Sequence, residues 1–140
     1  KVQELAELLI DCVEGGASVS FMHPLPLAKA QEFWRRVGDA VRRGERALLV
    51  AEDASGVVGT VQLVLDQADN QPHRADLSKM LVHRRARRRG LGAALMHSAE
   101  NLGRECGKTL LVLDTATGGD AERLYIRLGW RRCGVIPGYA

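Results

Sequence analysis

From Leu77 to Met96 the chain reads as strand, basic turn and helix, and this order constrains the fold more than any other stretch. The turn carries Arg84, Arg85, Arg87, Arg88 and Arg89, followed by Gly90 and Gly92. Leu91, Ala94, Leu95, Ala99 and Leu102 then recur at helical spacing. A helix N-terminus offers unpaired N–H groups and a partial positive charge. Glycine lets a ligand come close to the backbone, and guanidinium groups add forked donors. Together they suit a pyrophosphate. A Walker loop is excluded, because no Gly-Lys-Ser/Thr follows. The helix continues Ala93-Ala94-Leu95, so the third glycine of a dinucleotide fingerprint is also missing.

The rest of the chain supplies layers for that unit. Val2, Leu5, Leu8, Leu9, Cys12 and Val13 predict a helix over 2–14, stopped by Gly15-Gly16. A second helix is expected from Leu27 to Arg43, with Gly44 closing it. The period then changes. Ala47–Glu52 and Val57–Leu65 read as a hairpin around the Asp53–Gly56 turn, and Ala75–Val82 as a third strand. Thr109–Asp114 is apolar throughout and predicts a strand central in the sheet. Asp120–Leu128 predicts a helix ended by Gly129, and Arg131–Val135 a last strand. The order ααβββαβαβ describes one α/β domain over 1–140, with a mixed sheet and helices on its faces.

Charge and composition narrow the function. Of 20 basic residues against 17 acidic ones, five lie in the one turn, so the positive excess is local. It points to an anionic ligand rather than to a basic surface. The chain has only two each of Trp, Tyr and Phe, and no aromatic within the arginine cluster, which argues against nucleic acid. Cys12, Cys106 and Cys133 are too scattered for a disulfide framework or a zinc site, and His23, His73, His83 and His97 lack ligand spacing, so no metal is expected. No apolar run approaches the ~20 residues of a membrane helix. Glu4, Glu7 and Asp11 stand where a signal peptide would be apolar, so a cytoplasmic location is expected.

Arg87-x-x-Gly90-x-Gly92 resembles the Q/R-x-x-G-x-G/A motif of the GNAT superfamily of acetyl-CoA-dependent N-acetyltransferases. A second element, Gly118-x-x-Ala121-x-x-Leu124-Tyr125-x-x-Leu128-Gly129-Trp130, is similar to the family's Asn-x-x-Ala-x-x-x-Tyr helix, with Gly118 at the Asn position and Trp130 for Phe. Gly16–Met22, Arg74–Met80, Leu113–Thr115 and Pro137–Tyr139 resemble the tabtoxin-resistance acetyltransferase subgroup. That subgroup is linked to acetylation of a β-lactam amino acid and holds many members without a known substrate.

The resemblance implies a mostly antiparallel, splayed sheet and acetyl-CoA as co-substrate. Its pyrophosphate would lie on Arg87, Arg88, Arg89, Gly90, Leu91, Gly92 and Ala93. Its pantetheine arm would run along Met80, Leu81 and Val82, with an N–H near Leu81 on the thioester oxygen. Asp76 and Asp114 become candidate bases or ammonium ligands, and Tyr125 a candidate general acid. Structural roles stand beside these. Asp76 could pair with Arg74 or Lys79, Asp114 could cap its own loop, Tyr125 could be core, and Arg84 and Arg85 could be surface charge. The expected acceptor is the amine, or hydroxyl, of a small molecule; a peptide amine and a CoA-binding module without catalysis are the alternatives. Relative to the family pattern, terminal strands are missing at both ends, and a homodimer could complete the acceptor wall.

Overall fold

The computed structural model describes residues 1–17 and 19–139; Ser18, inside the Gly16–Met22 resemblance, lies outside the described residues. Helices α1 (Val2–Glu14) and α2 (Leu27–Arg42) come first. Strands β1 (Arg46–Asp53), β2 (Gly56–Val64) and β3 (Arg74–Val82) follow, then a 3-10 turn at Arg84–Ala86. Helix α3 (Leu91–Glu105), strand β4 (Leu110–Val112) and helix α4 (Asp120–Arg127) complete the α/β order. The sheet is four-stranded in the order β1-β2-β3-β4, with two antiparallel pairs and then a parallel β3–β4 pair. The hairpin turn forms because Asp53 Oδ1 accepts the Ser55 N–H at 2.7 Å, the local bond that favours Asp at such turns.

The sheet separates two apolar clusters. On one face α1 and α2 bury Leu5, Leu8, Leu9, Cys12, Trp34 and Val37 against Val57 and Leu81. On the other, Leu95, Met96 and Ala99 of α3 and Tyr125 of α4 pack on Val61, Leu63, Ala75 and Leu77. Gly103 allows α3 to lie close to β4, since a Cβ there would meet Leu111 Cδ2 at 3.3 Å.

Two expectations need correction. The apolar Thr109–Asp114 run yields only three strand residues, and they form the edge of the sheet rather than its centre. Leu111 and, just beyond the strand, Leu113 pack on the α3 side, while Leu110 and Val112 are 46% and 40% exposed on the face that α1 and α2 leave open. An apolar run therefore signalled one buried side, not two. The second concerns Arg131–Val135, which forms no strand: it is exposed and no described strand bonds to it, and a strand exists only through its ladder.

Strand β3 contains the feature that shapes the site. Leu81 stands opposite Thr60 and Ser78 opposite Gln62, so Lys79 and Met80 share the single partner position of Val61. This is a β-bulge, and Lys79 takes the left-handed backbone with φ +54°. The extra residue reverses the side-chain alternation. Ala75 and Leu77 face α3 before it, and Met80 and Val82 do so after it. Parallel pairing with β4 ends at Asp76 opposite Val112, so among the described residues no strand pairs with Leu77–Val82 on that side.

Candidate active site

The opening between β3 and β4 is bordered by the arginine turn. Gly90 is the N-cap of α3 and takes φ +74°, so the chain enters the helix through a conformation glycine adopts without strain. The first intrahelical bond runs from the Ala94 N–H to Gly90 O at 3.1 Å. The N–H groups of Leu91, Gly92 and Ala93 therefore point out of the helix end. A Cβ on Gly92 would meet Leu124 Cδ2 at 3.0 Å, so its lack of a side chain also lets α4 close on α3.

The arginines divide into staples and one free cation. Arg84 binds Asp11 of α1, with its N–H at 2.9 Å and its Nε at 3.0 Å. Arg85 donates from Nη2 to Ser55 Oγ at 2.9 Å, and Arg89 pairs with Asp53 at 3.1 Å. Arg87 turns back, Nε donating to Val82 O at 3.3 Å. Arg88 is exposed, has φ +65°, and makes no hydrogen bond or ion pair among the described residues. Of the three arginines expected on phosphate, the structure leaves Arg88 unengaged and gives Arg87 and Arg89 protein partners. The local electrostatics follow. Burial works to raise the Asp11 pKa, but the bonds from Arg84 prevail and hold the carboxyl below its ordinary value. Burial pushes His83 down, with the neighbouring arginines, against Asp11. His83 Nδ1 accepts the Arg85 N–H at 3.2 Å, as a neutral ring can.

Along the end of β3 the peptide directions matter. The His83 N–H donates to Val58 O at 2.8 Å, so alternation turns the Val82 peptide groups away from β2. Val82 O accordingly accepts from Arg87 and from Cys12 Sγ at 3.5 Å. Leu81 belongs to the other phase. Its backbone faces β2, and its side chain, 2% exposed, sits in the α1/α2 cluster. The N–H expected near Leu81 on the open side is therefore that of Val82.

The candidate catalytic groups lie on both faces of the opening. On the α1/α2 face, a cleft of about 350 Å³ is lined by Val64, Arg74, Asp76, Ser78, Val112 and Asp114. Asp76 is bound by Arg74 Nη1 at 2.6 Å, and the remaining Arg74 nitrogens are held by Gln67 and Gln71. The structural role weighed for Asp76 is thus realised. Asp114 is exposed and has no protein hydrogen bond among the described residues. On the opposite face Tyr125 is 9% exposed, 6.2 Å from the Trp130 ring, and burial pushes its phenol pKa up. No group of three or more His, Cys, Asp or Glu among the described residues is arranged to hold a metal.

Sequence reasoning weighed Lys79 only as a partner for Asp76 and gave Arg46 and Gln62 no place at the site. Lys79 interrupts the apolar phase Leu77, Lys79, Leu81, a break in period that marks a bulge. Its ammonium lies 5.8 Å from the Phe33 ring centroid. Burial lowers its pKa, as does Arg46, while Asp114 raises it. Arg46 Nη1 donates to Gln62 Oε1 at 2.8 Å, a pairing across β1 and β2 that no local motif announces.

The model of the acetyltransferase (GNAT) family matches residues 3–130. The chain belongs to the GNAT acetyltransferase family. GNAT enzymes transfer an acetyl group from acetyl-CoA to an acceptor. The fold recurs in ribosomal-protein-alanine N-acetyltransferase from Brucella melitensis, at 23% identity and TM-score 0.76, covering 95% of this chain and 80% of that one. It recurs in yncA from Salmonella typhimurium, solved with its cofactor acetyl-CoA, at 21% identity and TM-score 0.72, covering 90% and 71%. Glucosamine-6-phosphate N-acetyltransferase from Arabidopsis thaliana is similar at 16% identity and TM-score 0.71, covering 96% and 86%. The residues present fit the GNAT co-substrate. The open N–H groups at α3 and the unpaired Arg88 suit a pyrophosphate, and the unpaired side of β3 suits an extended amide-bearing arm.

Proposed function

We propose that the protein acetylates the amine of a small-molecule acceptor, with the chemistry at the gap where β3 and β4 part. The observation that carries this reading is the gap itself. It opens beyond Asp76 and Val112, with the anion-binding turn at one end and ionisable groups on both faces. Acetyl-CoA supplies the acetyl group as an activated thioester. Leu91, Gly92 and Ala93 N–H groups and Arg88 hold the phosphates, and Val82 N–H steadies the thioester oxygen as it gains negative charge.

The amine must lose a proton to attack. Asp114 is the better base of the two carboxylates, since it is unbonded and Asp76 is engaged by Arg74. Asp76 then shapes the cleft and holds Arg74 in place. Tyr125 stays protonated near neutral pH, which suits donation to the departing thiolate. The resemblance to the tabtoxin-resistance subgroup supports a β-lactam amino acid as the first acceptor to try. A cytoplasmic monomer or homodimer is consistent with this role.

Calorimetric titration with acetyl-CoA, with adenosine as control, is the direct test. Micromolar binding that requires the pyrophosphate and pantetheine supports the reading. Thiol release with an amine panel then follows. A folded protein that does not bind acetyl-CoA would sink it.

A further inference from the structure

The cleft face carries charges of both signs, and they are sorted in space. Arg46, Val64, Asp76 and Val112 form one row across the four strands, each opposite the next. The next row runs Leu48, Gln62 and Ser78, ending at the open side near Asp114. The carboxylates thus lie toward β4, and Arg46 lies at the β1 end. Lys79 follows Ser78 in the bulge and is turned to this face, where its ammonium meets Phe33 of α2.

Neither cation has a carboxylate partner among the described residues. Arg46 is bonded to a neutral amide, Gln62 Oε1, and Lys79 to an aromatic face. Among the described residues, eleven Lys or Arg pairs with carboxylates engage nine of the other fifteen arginines, and the six left without one are exposed, so an unmatched half-buried pair is the exception here. A second observation points the same way. Gln62 is fully buried, and its Nε2 has no acceptor. The patch therefore holds two cations and a donor, and lacks an anionic or accepting group. The bulge matters as well, because a regular strand would turn Lys79 toward α3.

We propose that Arg46 and Lys79 read an oxyanion on the acceptor, so that the acceptor is a zwitterion. Its ammonium lies toward Asp114, and its carboxylate or phosphate lies toward Arg46 and Lys79. Gln62 is a positioning residue that fixes the Arg46 guanidinium. The inference rests on the acetyltransferase reading and adds the acceptor class to it. Carboxylates and phosphates share the chemistry that both cations recognise.

The test uses matched acceptors in a thiol-release assay with saturating acetyl-CoA. One arm compares α-amino acids with their α-carboxamides. The other compares glucosamine 6-phosphate with glucosamine. The expected result is a kcat/KM at least about tenfold higher for the member that carries the oxyanion than for the twin that lacks it. Lys79→Asn, which keeps a residue tolerant of the left-handed backbone, and Arg46→Gln should each shrink that gap through KM. Circular dichroism and acetyl-CoA affinity verify that both variants fold. Which arm shows the gap tells carboxylate from phosphate. Equal use of the twins overturns the proposal. So does a gap that survives both substitutions, or failure to acetylate any oxyanion-bearing member while acetyl-CoA binds. Loss of acetyl-CoA binding in the unaltered protein is a different failure, and it removes the acetyltransferase reading beneath.

Discussion

Single side chains at this site are set apart by what they are bonded to. Asp76 and Asp114 occupy one cleft, but only Asp76 has a cation in contact. Asp114→Asn is therefore expected to lower kcat by ~10²–10⁴, with acetyl-CoA affinity unchanged. Asp76→Asn should cost less in kcat, and the difference is read from steady-state rates on a common acceptor. Full activity of the Asp114 variant would remove that residue as the base. The cysteines are distinguished by burial in the same way. Burial raises the Cys12 thiol to about 11, so at pH 7.5 it stays a thiol under α1. Cys106 and Cys133 are exposed. A thiol reagent such as DTNB should modify those two quickly and reach Cys12 only on unfolding. Rapid modification of Cys12 would contradict the packing of α1 on β3.

At the scale of elements, the basic turn is held by three different parts of the chain. Arg84 ties it to α1, Arg85 and Arg89 tie it to the β1–β2 turn, and Arg87 ties it to the end of β3. Most of a conspicuous arginine cluster thus fixes the shape of a loop. Arg88→Ala should weaken acetyl-CoA binding by about 1.5–3 kcal/mol, the range for bonds to charged groups, with the fold intact. Arg84→Ala should instead lower stability, and an unchanged acetyl-CoA affinity in Arg88→Ala would withdraw the phosphate assignment. Gly90→Ala places a side chain at φ +74° and should cost about 1–2 kcal/mol in urea unfolding. A cost near zero would mean that the turn relaxes easily.

The whole molecule is two apolar layers on one sheet, and its acid stability depends on how α1 is joined to the turn. Asp11 and His83 both have folded pKa values below their unfolded ones, 3.8 and 6.5. Each favours the fold most above its unfolded value, and the contribution is lost as pH falls through the folded one. Stability should therefore decline below pH 6.5 as His83 charges, and again below 3.8 as Asp11 is neutralised. The gap in urea midpoint between the unaltered protein and Asp11→Asn should widen from pH 7 to 5, because Asp11 supports the charged form of His83, and close toward pH 3. A gap independent of pH would show that Asp11 contributes packing and not charge. In this molecule the helices, the hairpin, the glycine turn and the family motif were legible in sequence, because each rests on short-range periodicity or on glycine's backbone freedom. Hydrophobic alternation also gave strand β3. The edge position of β4, the absence of a ladder at Arg131–Val135 and the staple roles of Arg84, Arg85, Arg87 and Arg89 were not legible. Those depend on which strand or carboxylate lies nearby after folding, across separations of up to 73 residues for Arg84 and Asp11. The bulge stands between the two: Lys79 marked it by breaking a period, but only pairing with β2 showed that it turns that lysine to the α1/α2 face, against Phe33. Sequence patterns record local free-energy preferences, whereas a charged group takes whatever partner the assembled layers bring within reach.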